Sequence, residues 1–124
     1  METAVLKTIV GFLNSTTGGT LVIGVSDDGE AMGMEADGFA NEDKALLHLG
    51  NLIEKRVSGH HAMYIHPKLD DHDDLRVLRV DVDPARSPAY LRDGATEMLF
   101  VRASASTQAL NGREMESFLR ARFN

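Results

Sequence analysis

The sequence contains no cysteine, which excludes disulfide bonds, cysteine-based zinc sites and catalysis by a thiol. This absence is typical of a reducing compartment, and we predict a cytoplasmic protein. No apolar run approaches the roughly 20 residues that a membrane span requires, so we expect no membrane association. The N-terminus also lacks the basic region and small-residue cleavage site of a secretory signal.

Basic residues are scarce relative to acidic ones, with 13 Lys and Arg against 19 Asp and Glu and a net charge of −6. This balance excludes indiscriminate attraction to polyanions. The charges are unevenly distributed: residues 1–50 hold eight acids and two bases, whereas residues 51–124 hold eleven of each. A surface that binds a polyanion is therefore expected in the second half of the chain.

Hydrophobic periodicity predicts a single domain over residues 1–124 with an α+β (mixed α/β) fold. We expect two layers, with helices packed on a central mixed sheet. The predicted elements are a helix carrying Val5, Ile9, Phe12 and Leu13, a strand at 20–25 buried on both faces, a helix at 41–57, strands at 62–69 and 75–82, a hairpin turning at Asp93-Gly94 and ending in a strand at 98–102, and a last helix carrying Met115, Phe118, Leu119 and Arg122.

Three sets of polar residues are candidates for binding or catalytic chemistry. Residues 15–20 (S-T-T-G-G-T) lack the lysine of a phosphate-binding loop and enter a strand rather than a helix, so a tight glycine turn is favoured. Asp27 and Asp28 carry oxygens that hard cations prefer, although adjacent acids after a strand are more often turn residues. The histidines at 60, 61, 66 and 72 lack H-x-x-x-H spacing and are interpreted as surface-loop residues.

Residues 102–107 (R-A-S-A-S-T) contain one arginine and three hydroxyl side chains. The segment is predicted as a loop between a strand and the last helix, whose outer face carries Arg113 and Arg120. A guanidinium beside hydroxyl donors is a plausible set for gripping a phosphate, and a solvated loop is the alternative.

Three motifs, taken together and in this order, resemble a known family. Residues 6–14 read L-K-T-I-V-G-F-L-N, residues 18–29 read G-G-T-L-V-I-G-V-S-D-D-G, and residues 100–107 read F-V-R-A-S-A-S-T. They are similar to the Schlafen-type, Alba-like DNA-binding domain, and the resemblance covers nearly the whole chain. It implies an Alba-like fold and association with nucleic acid, as in bacterial members that are modules of transcriptional regulators.

The resemblance also implies a second possibility. In the animal Schlafen branch the domain is a metal-dependent endoribonuclease that uses one Asp and two upstream Glu; the Asp corresponds to Asp27, and the two Glu have no counterpart here. We therefore expect a fragment that lacks the family's N-terminal acidic strand. One Asp cannot gather a catalytic cation. Catalytic Asp27, with Asp28 as a neighbouring ligand for Mg or Mn, belongs only to this nuclease alternative.

The leading hypothesis is a nucleic-acid-binding module of a bacterial regulatory protein, without a cofactor. Phosphate contacts should dominate because the aromatic residues are predicted mostly at core positions. The expected contact residues are Arg102, Ser104, Thr107, Arg113 and Arg120. A third hypothesis is a protein–protein module that forms a homodimer, since Pro67 predicts an edge strand that could pair between chains.

Overall fold

The computed structural model describes residues 2–24, 42–58, 60–72 and 75–123. Within these ranges the chain forms three α-helices, six β-strands and one short 3-10 helix, which confirms the predicted α+β class. The helices are α1 (Glu2–Asn14), α2 (Glu42–Arg56) and α3 (Gly112–Phe123), and the 3-10 helix is His61–Tyr64. The strands are β1 (Gly19–Gly24), β2 (Ile65–His72), β3 (Leu75–Val82), β4 (Leu91–Asp93), β5 (Thr96–Ala103) and β6 (Ser106–Leu110).

The first sheet has the strand order β1-β3-β2, and both pairings are antiparallel. Pro67 lies on β2 at the edge of this sheet, as predicted, because an edge strand tolerates a residue without a backbone N–H. The strand begins three residues later than predicted, since the 3-10 helix occupies His61–Tyr64. It also continues to His72, three residues beyond the predicted end at residue 69.

The second sheet has the order β4-β5-β6 and is also antiparallel. Its first hairpin turns at Gly94, with φ of 63°, as the Asp93-Gly94 pair predicts. Its second hairpin corrects the loop predicted over residues 102–107: Ser104 adopts a φ of 56°, the chain reverses, and Arg102 pairs with Thr107 across β5 and β6. The described strands thus form two small antiparallel sheets in place of the predicted central mixed sheet. Hairpins join β2 to β3, β4 to β5 and β5 to β6, whereas α2 lies between β1 and its partner strand in the sequence.

The core lies mainly along α1, whose residues Leu6, Ile9, Val10 and Leu13 are completely buried. Helix α2 adds Leu49 and Ile53, and the two sheets and the segments between the elements supply the rest. The strand β1 is buried on one face only, which corrects the prediction of burial on both faces: Ile23 points into the core, whereas Val22 is 54% exposed. The reason is that, among the described residues, the core covers only one face of the antiparallel sheet to which β1 belongs.

The glycine pair between α1 and β1 is a tight turn, as predicted. Gly18 has a φ of +73°, and a Cβ there would lie 2.1 Å from the carbonyl oxygen of Val82. A Cβ on Gly19 would lie 2.4 Å from the Phe12 ring. Only glycine allows both the left-handed backbone and this close approach. Among the described residues, none of the helices has the length and apolar character needed to cross a bilayer.

Candidate nucleic-acid interface

The C-terminal end of α1 is anchored by a buried asparagine. The Asn14 side-chain amide donates to the carbonyl oxygens of Ala89 at 2.9 Å and Phe100 at 2.8 Å, and its Oδ1 accepts from the Ala89 N–H at 2.9 Å. All three partners lie more than 70 residues away in sequence. Because its amide is satisfied at both ends, Asn14 fixes where α1 ends relative to β5.

A polar turn follows Asn14 and is held by Ser15. The Ser15 hydroxyl donates to the Phe12 carbonyl at 2.7 Å and accepts from the Gly18 N–H at 2.8 Å. This local bonding is the usual way in which serine closes a turn. It leaves Thr16 and Thr17 exposed between the two ends of the turn.

The β5–β6 hairpin places Arg102 beside this turn. Its Nη1 donates to the Thr107 hydroxyl at 2.7 Å, and its guanidinium carbon lies 5.4 Å from the centre of the Phe12 ring. Helix α1 packs against the hairpin at Gly11, where a Cβ would be in ordinary contact, 3.4 Å from the backbone nitrogen of Arg102 and 3.5 Å from the Thr107 methyl group. A hydrogen bond on one side and an aromatic face on the other thus orient a half-buried guanidinium.

Helix α3 closes the other side through Arg122. Its Nε and Nη2 donate to the Ser15 carbonyl at 3.2 and 2.9 Å, and Nη2 also donates to the Ala85 carbonyl at 2.8 Å. Nε lies 3.0 Å from the Asn14 carbonyl as well. These oxygens include the free carbonyl at the end of α1, where a cation is favourable. Arg122 therefore joins α3 to the turn after α1.

These elements enclose an open groove of about 660 Å³, here called the α1–α3 groove. Its walls are Phe12 and the turn from α1, Arg102 and Ser104 from the β5–β6 hairpin, and Phe118, Ala121 and Arg122 from α3. Within the described part of the chain no Asp or Glu lines it. A concave surface with two arginines, several hydroxyls and no lining acid is suited to an anion.

The family model described as "Schlafen, AlbA_2" matches residues 1–111 of the chain. The chain belongs to this Schlafen AlbA_2 family. Family membership indicates a nucleic-acid-related role. The matched region contains Arg102, Ser104 and Thr107 and ends before α3.

A crystal structure of the DIP2311 protein from Corynebacterium diphtheriae has a similar fold, with a TM-score of 0.56 over 98% of this chain at 20% sequence identity. The Schlafen AlbA_2 chain described here spans 20% of the length of that protein chain. At this identity the similarity concerns the fold alone. A comparison with curated proteins found no match.

The Schlafen AlbA_2 fold brings together three of the five expected contact residues. Arg102 and Ser104 line the α1–α3 groove, and Thr107 holds Arg102. The structure places Arg113 and Arg120 away from the groove walls, at exposed positions on α3. Arg120 pairs with Glu116 one helical turn earlier at 2.5 Å.

Sequence reasoning missed two features of this groove. Arg122 was assigned only to the stripe of the last helix; its position four residues after Phe118, on the same helix face, is the signal that could have identified it. The aromatic residues were expected mostly in the core, yet Phe118 and Phe123 are only partly buried and pack edge to face with ring centres 6.2 Å apart. Phe118 lines the groove and presents an aromatic surface there.

The acidic pair proposed for the nuclease alternative, Asp27 and Asp28, lies outside the described residues. In the part that the structure describes, no group of three or more His, Asp or Glu is arranged to hold a metal ion. Three histidines depart from the surface-loop interpretation, and one of them, His72, ends β2. His61 is buried, with its ring nitrogens on the Ser58 and Ser87 carbonyls, and His66 lies on β2, 2.8 Å from Asp83.

Proposed function

We propose that this Schlafen AlbA_2 chain, as a single domain over residues 1–124, is a nucleic-acid-binding module of a bacterial regulatory protein and binds the phosphate backbone in the α1–α3 groove. The observation that carries this proposal is the oriented guanidinium of Arg102 in a groove with hydroxyl side chains and no lining acid among the described residues. Family membership supports the same class of ligand.

The chemistry of the groove suits a phosphodiester. The Nη1 of Arg102 is bonded to Thr107, and the same guanidinium carries further N–H donors that can reach a phosphate oxygen. The Ser104 hydroxyl and the exposed Thr16 and Thr17 hydroxyls add neutral donors around the same space. The Phe12 ring shields one face of the guanidinium from water, which strengthens its attraction to an anion.

The other arginines of α3 contribute differently. Arg122 uses Nε and Nη2 on backbone carbonyls, so it acts chiefly through its charge. Arg113 and Arg120 stay proposed contacts for a backbone that extends over the outer face of α3. Their effect should be smaller than that of Arg102, and Glu116 partly neutralises Arg120.

The net charge of −6 limits the number of phosphate contacts that we expect. Away from the groove the protein repels a polyanion, so binding should depend on few phosphate contacts. Each such contact contributes about 0.7 to 0.9 units to the slope of log affinity against log salt concentration.

The test is a salt titration of binding to fluorescently labelled DNA and RNA oligonucleotides, with Arg102→Ala compared with the wild type. The expected result is weaker binding and a slope reduced by about one unit. Lys55→Ala is the charge-matched control. Lys55 is exposed on α2, and its replacement removes one positive charge away from the groove. Equal slopes for Arg102→Ala, Lys55→Ala and the wild type would refute the proposal.

A further inference from the structure

A second concavity adjoins the α1–α3 groove. It has a volume of about 480 Å³ and is lined by Pro84, Ala85, Arg86 and Phe123, and it shares Thr16 and Arg122 with the first groove. We call it the Arg86 groove. Because the two grooves have two wall residues in common, they lie side by side, and a flexible ligand can pass from one to the other over Thr16 and Arg122.

The wall between the two grooves is rigidly held. Arg122 donates to the Ser15 carbonyl on one side and to the Ala85 carbonyl on the other, at 2.9 and 2.8 Å. The Ala85 N–H also donates to the Leu13 carbonyl at 2.8 Å. These bonds tie the segment before Arg86 to the end of α1, so the separation of the two grooves is set by the fold.

Arg86 is an exposed arginine with no structural role visible in the described residues. Among those residues its guanidinium makes no hydrogen bond and no ion pair, in contrast to Arg79, Arg92 and Arg120. No acid of the described chain lines the Arg86 groove. In a protein with more acids than bases, an unpaired guanidinium in an acid-free concavity provides a second place for an anion.

Aromatic rings accompany both arginines. Phe118 lines the first groove and Phe123 the second, and the Arg122 guanidinium lies 4.3 Å from the centre of the Phe123 ring. Aromatic faces next to a cationic path are the features with which proteins bind unpaired bases. A duplex keeps its bases paired and stacked, so it could use the arginines but not the ring of Phe118.

We infer that the two grooves form one track for a single-stranded nucleic acid, with two phosphates of the same strand bound at Arg102 and Arg86 and a base stacked on Phe118. This inference rests on the proposed function. It adds a second phosphate subsite, a preference for single-stranded over duplex nucleic acid, and the path of the strand from one groove to the other. It assigns to Arg86 a binding role that the sequence did not indicate.

The experiment measures the affinity of single-stranded oligonucleotides from about two to twelve nucleotides long, and of a duplex, for four proteins: wild type, Arg102→Ala, Arg86→Ala and Lys55→Ala. Arg86→Ala should leave the affinity of the shortest strands unchanged. It should weaken the longer strands about tenfold and lower their salt slope by about one unit. Arg102→Ala should weaken the binding of strands of every length, and Lys55→Ala should leave the affinity for all of them unchanged.

A further variant, Phe118→Leu, tests the stacking surface. It should weaken single strands about tenfold and leave duplex binding unchanged, since loss of one stacked base has an effect of this size. Thermal unfolding of the variant, compared with the wild type, shows whether the fold is retained. If Phe118→Leu is destabilised, Phe118→Tyr keeps the ring and should retain wild-type affinity.

The outcomes separate the two proposals. If Arg102→Ala weakens binding but Arg86→Ala behaves like Lys55→Ala at every length, the track is wrong and the phosphate-binding groove stands. If the duplex binds as tightly as the single strand, the inferred preference for single-stranded nucleic acid is wrong. If the wild type binds neither polymer at about 50 mM salt, where phosphate contacts are strongest, both proposals fail.

Discussion

The side-chain amide of Asn14 donates a hydrogen bond to the carbonyl oxygen of Phe100, across 2.8 Å and 86 residues of sequence. This bond joins the last residue of α1 to β5, two residues before Arg102. Two of the three walls of the α1–α3 groove, the end of α1 and the β5–β6 hairpin, therefore have a common anchor in the core. The stability of the domain and the geometry of its proposed interface depend on the same buried side chain.

Replacement of Asn14 should be strongly destabilising. Asn14→Ala leaves the Ala89 and Phe100 carbonyls and the Ala89 N–H without partners in a fully buried position. We expect a loss of roughly 3 kcal/mol or more in the free energy of unfolding, measured by urea denaturation. Asn51→Ala on the exposed side of α2 is the matched control and should change stability little. Similar losses in both variants would contradict this role of Asn14.

The hydrogen bond from Arg102 to Thr107 should contribute to binding affinity by orienting the guanidinium. It should not change how many charges take part in binding. Thr107→Val keeps the shape of the side chain but removes the oxygen that accepts from Nη1. We expect affinity for an oligonucleotide to fall about fivefold, corresponding to about 1 kcal/mol, with an unchanged salt slope because the guanidinium is still present. Thr107→Ser retains the hydroxyl and should restore most of the affinity. The idea fails if the Ser and Val variants bind alike.

Gly18 and Gly94 both have a left-handed backbone, but only Gly18 is closely surrounded by other atoms. Alanine at the two positions therefore distinguishes the cost of backbone strain from the cost of a steric clash. Gly18→Ala puts a Cβ against the Val82 carbonyl in addition to straining the backbone, whereas Gly94→Ala meets only open space. We expect Gly94→Ala to lower the free energy of unfolding by about 1 kcal/mol and Gly18→Ala by about 2 kcal/mol more. Thermal denaturation of both variants measures the difference. Equal losses would show that the turn shifts to relieve the clash.

The pKa of Asp81 should depend on Thr20. The Thr20 hydroxyl donates to Asp81 at 2.8 Å and Arg79 donates at 3.1 Å, and these hydrogen bonds hold the pKa of the Asp81 carboxyl below its ordinary value of 3.8. A lowered pKa adds stability that is complete above about pH 4 and is lost as the pH falls through the folded-state pKa. Asp81 is partly exposed, so the effect on stability is small.

Thr20→Val should therefore raise the pKa of Asp81 towards 3.8 and flatten the loss of stability below about pH 4. An NMR titration of the Asp81 carboxyl carbon measures the pKa directly. Thr96→Val, an exposed β5 substitution, is the control and should leave the titration unchanged. An Asp81 titration that is the same in Thr20→Val and wild type would show that Arg79 alone holds the pKa down.

Local pattern predicted most of the elements because their signals are short-range. The stripe of Ile9 and Leu13, the alternation of Val80 and Val82, and the Asp93-Gly94 turn depend on neighbours within a few residues. The second hairpin escaped prediction, since it requires a left-handed Ser104, and serine carries no strong preference for that conformation. Burial of β1 on both faces was likewise a wrong prediction, because packing of other elements on a sheet decides whether one face or both are covered, and the strand's own sequence does not.

The sequence by itself determined the α+β class, the family and the candidate role of Arg102. Hydrophobic periodicity and contiguous motifs depend only on residues that are close together along the chain. Only the tertiary structure decided which side chains share a surface. It brought Arg102 beside Phe12, placed Arg122 against the end of α1, and left Arg86 exposed beside the same turn. These relationships join residues that are far apart in sequence. They arise from packing of α1 against the second sheet and from the hydrogen bond of Arg122 to the end of α1, which no local pattern encodes.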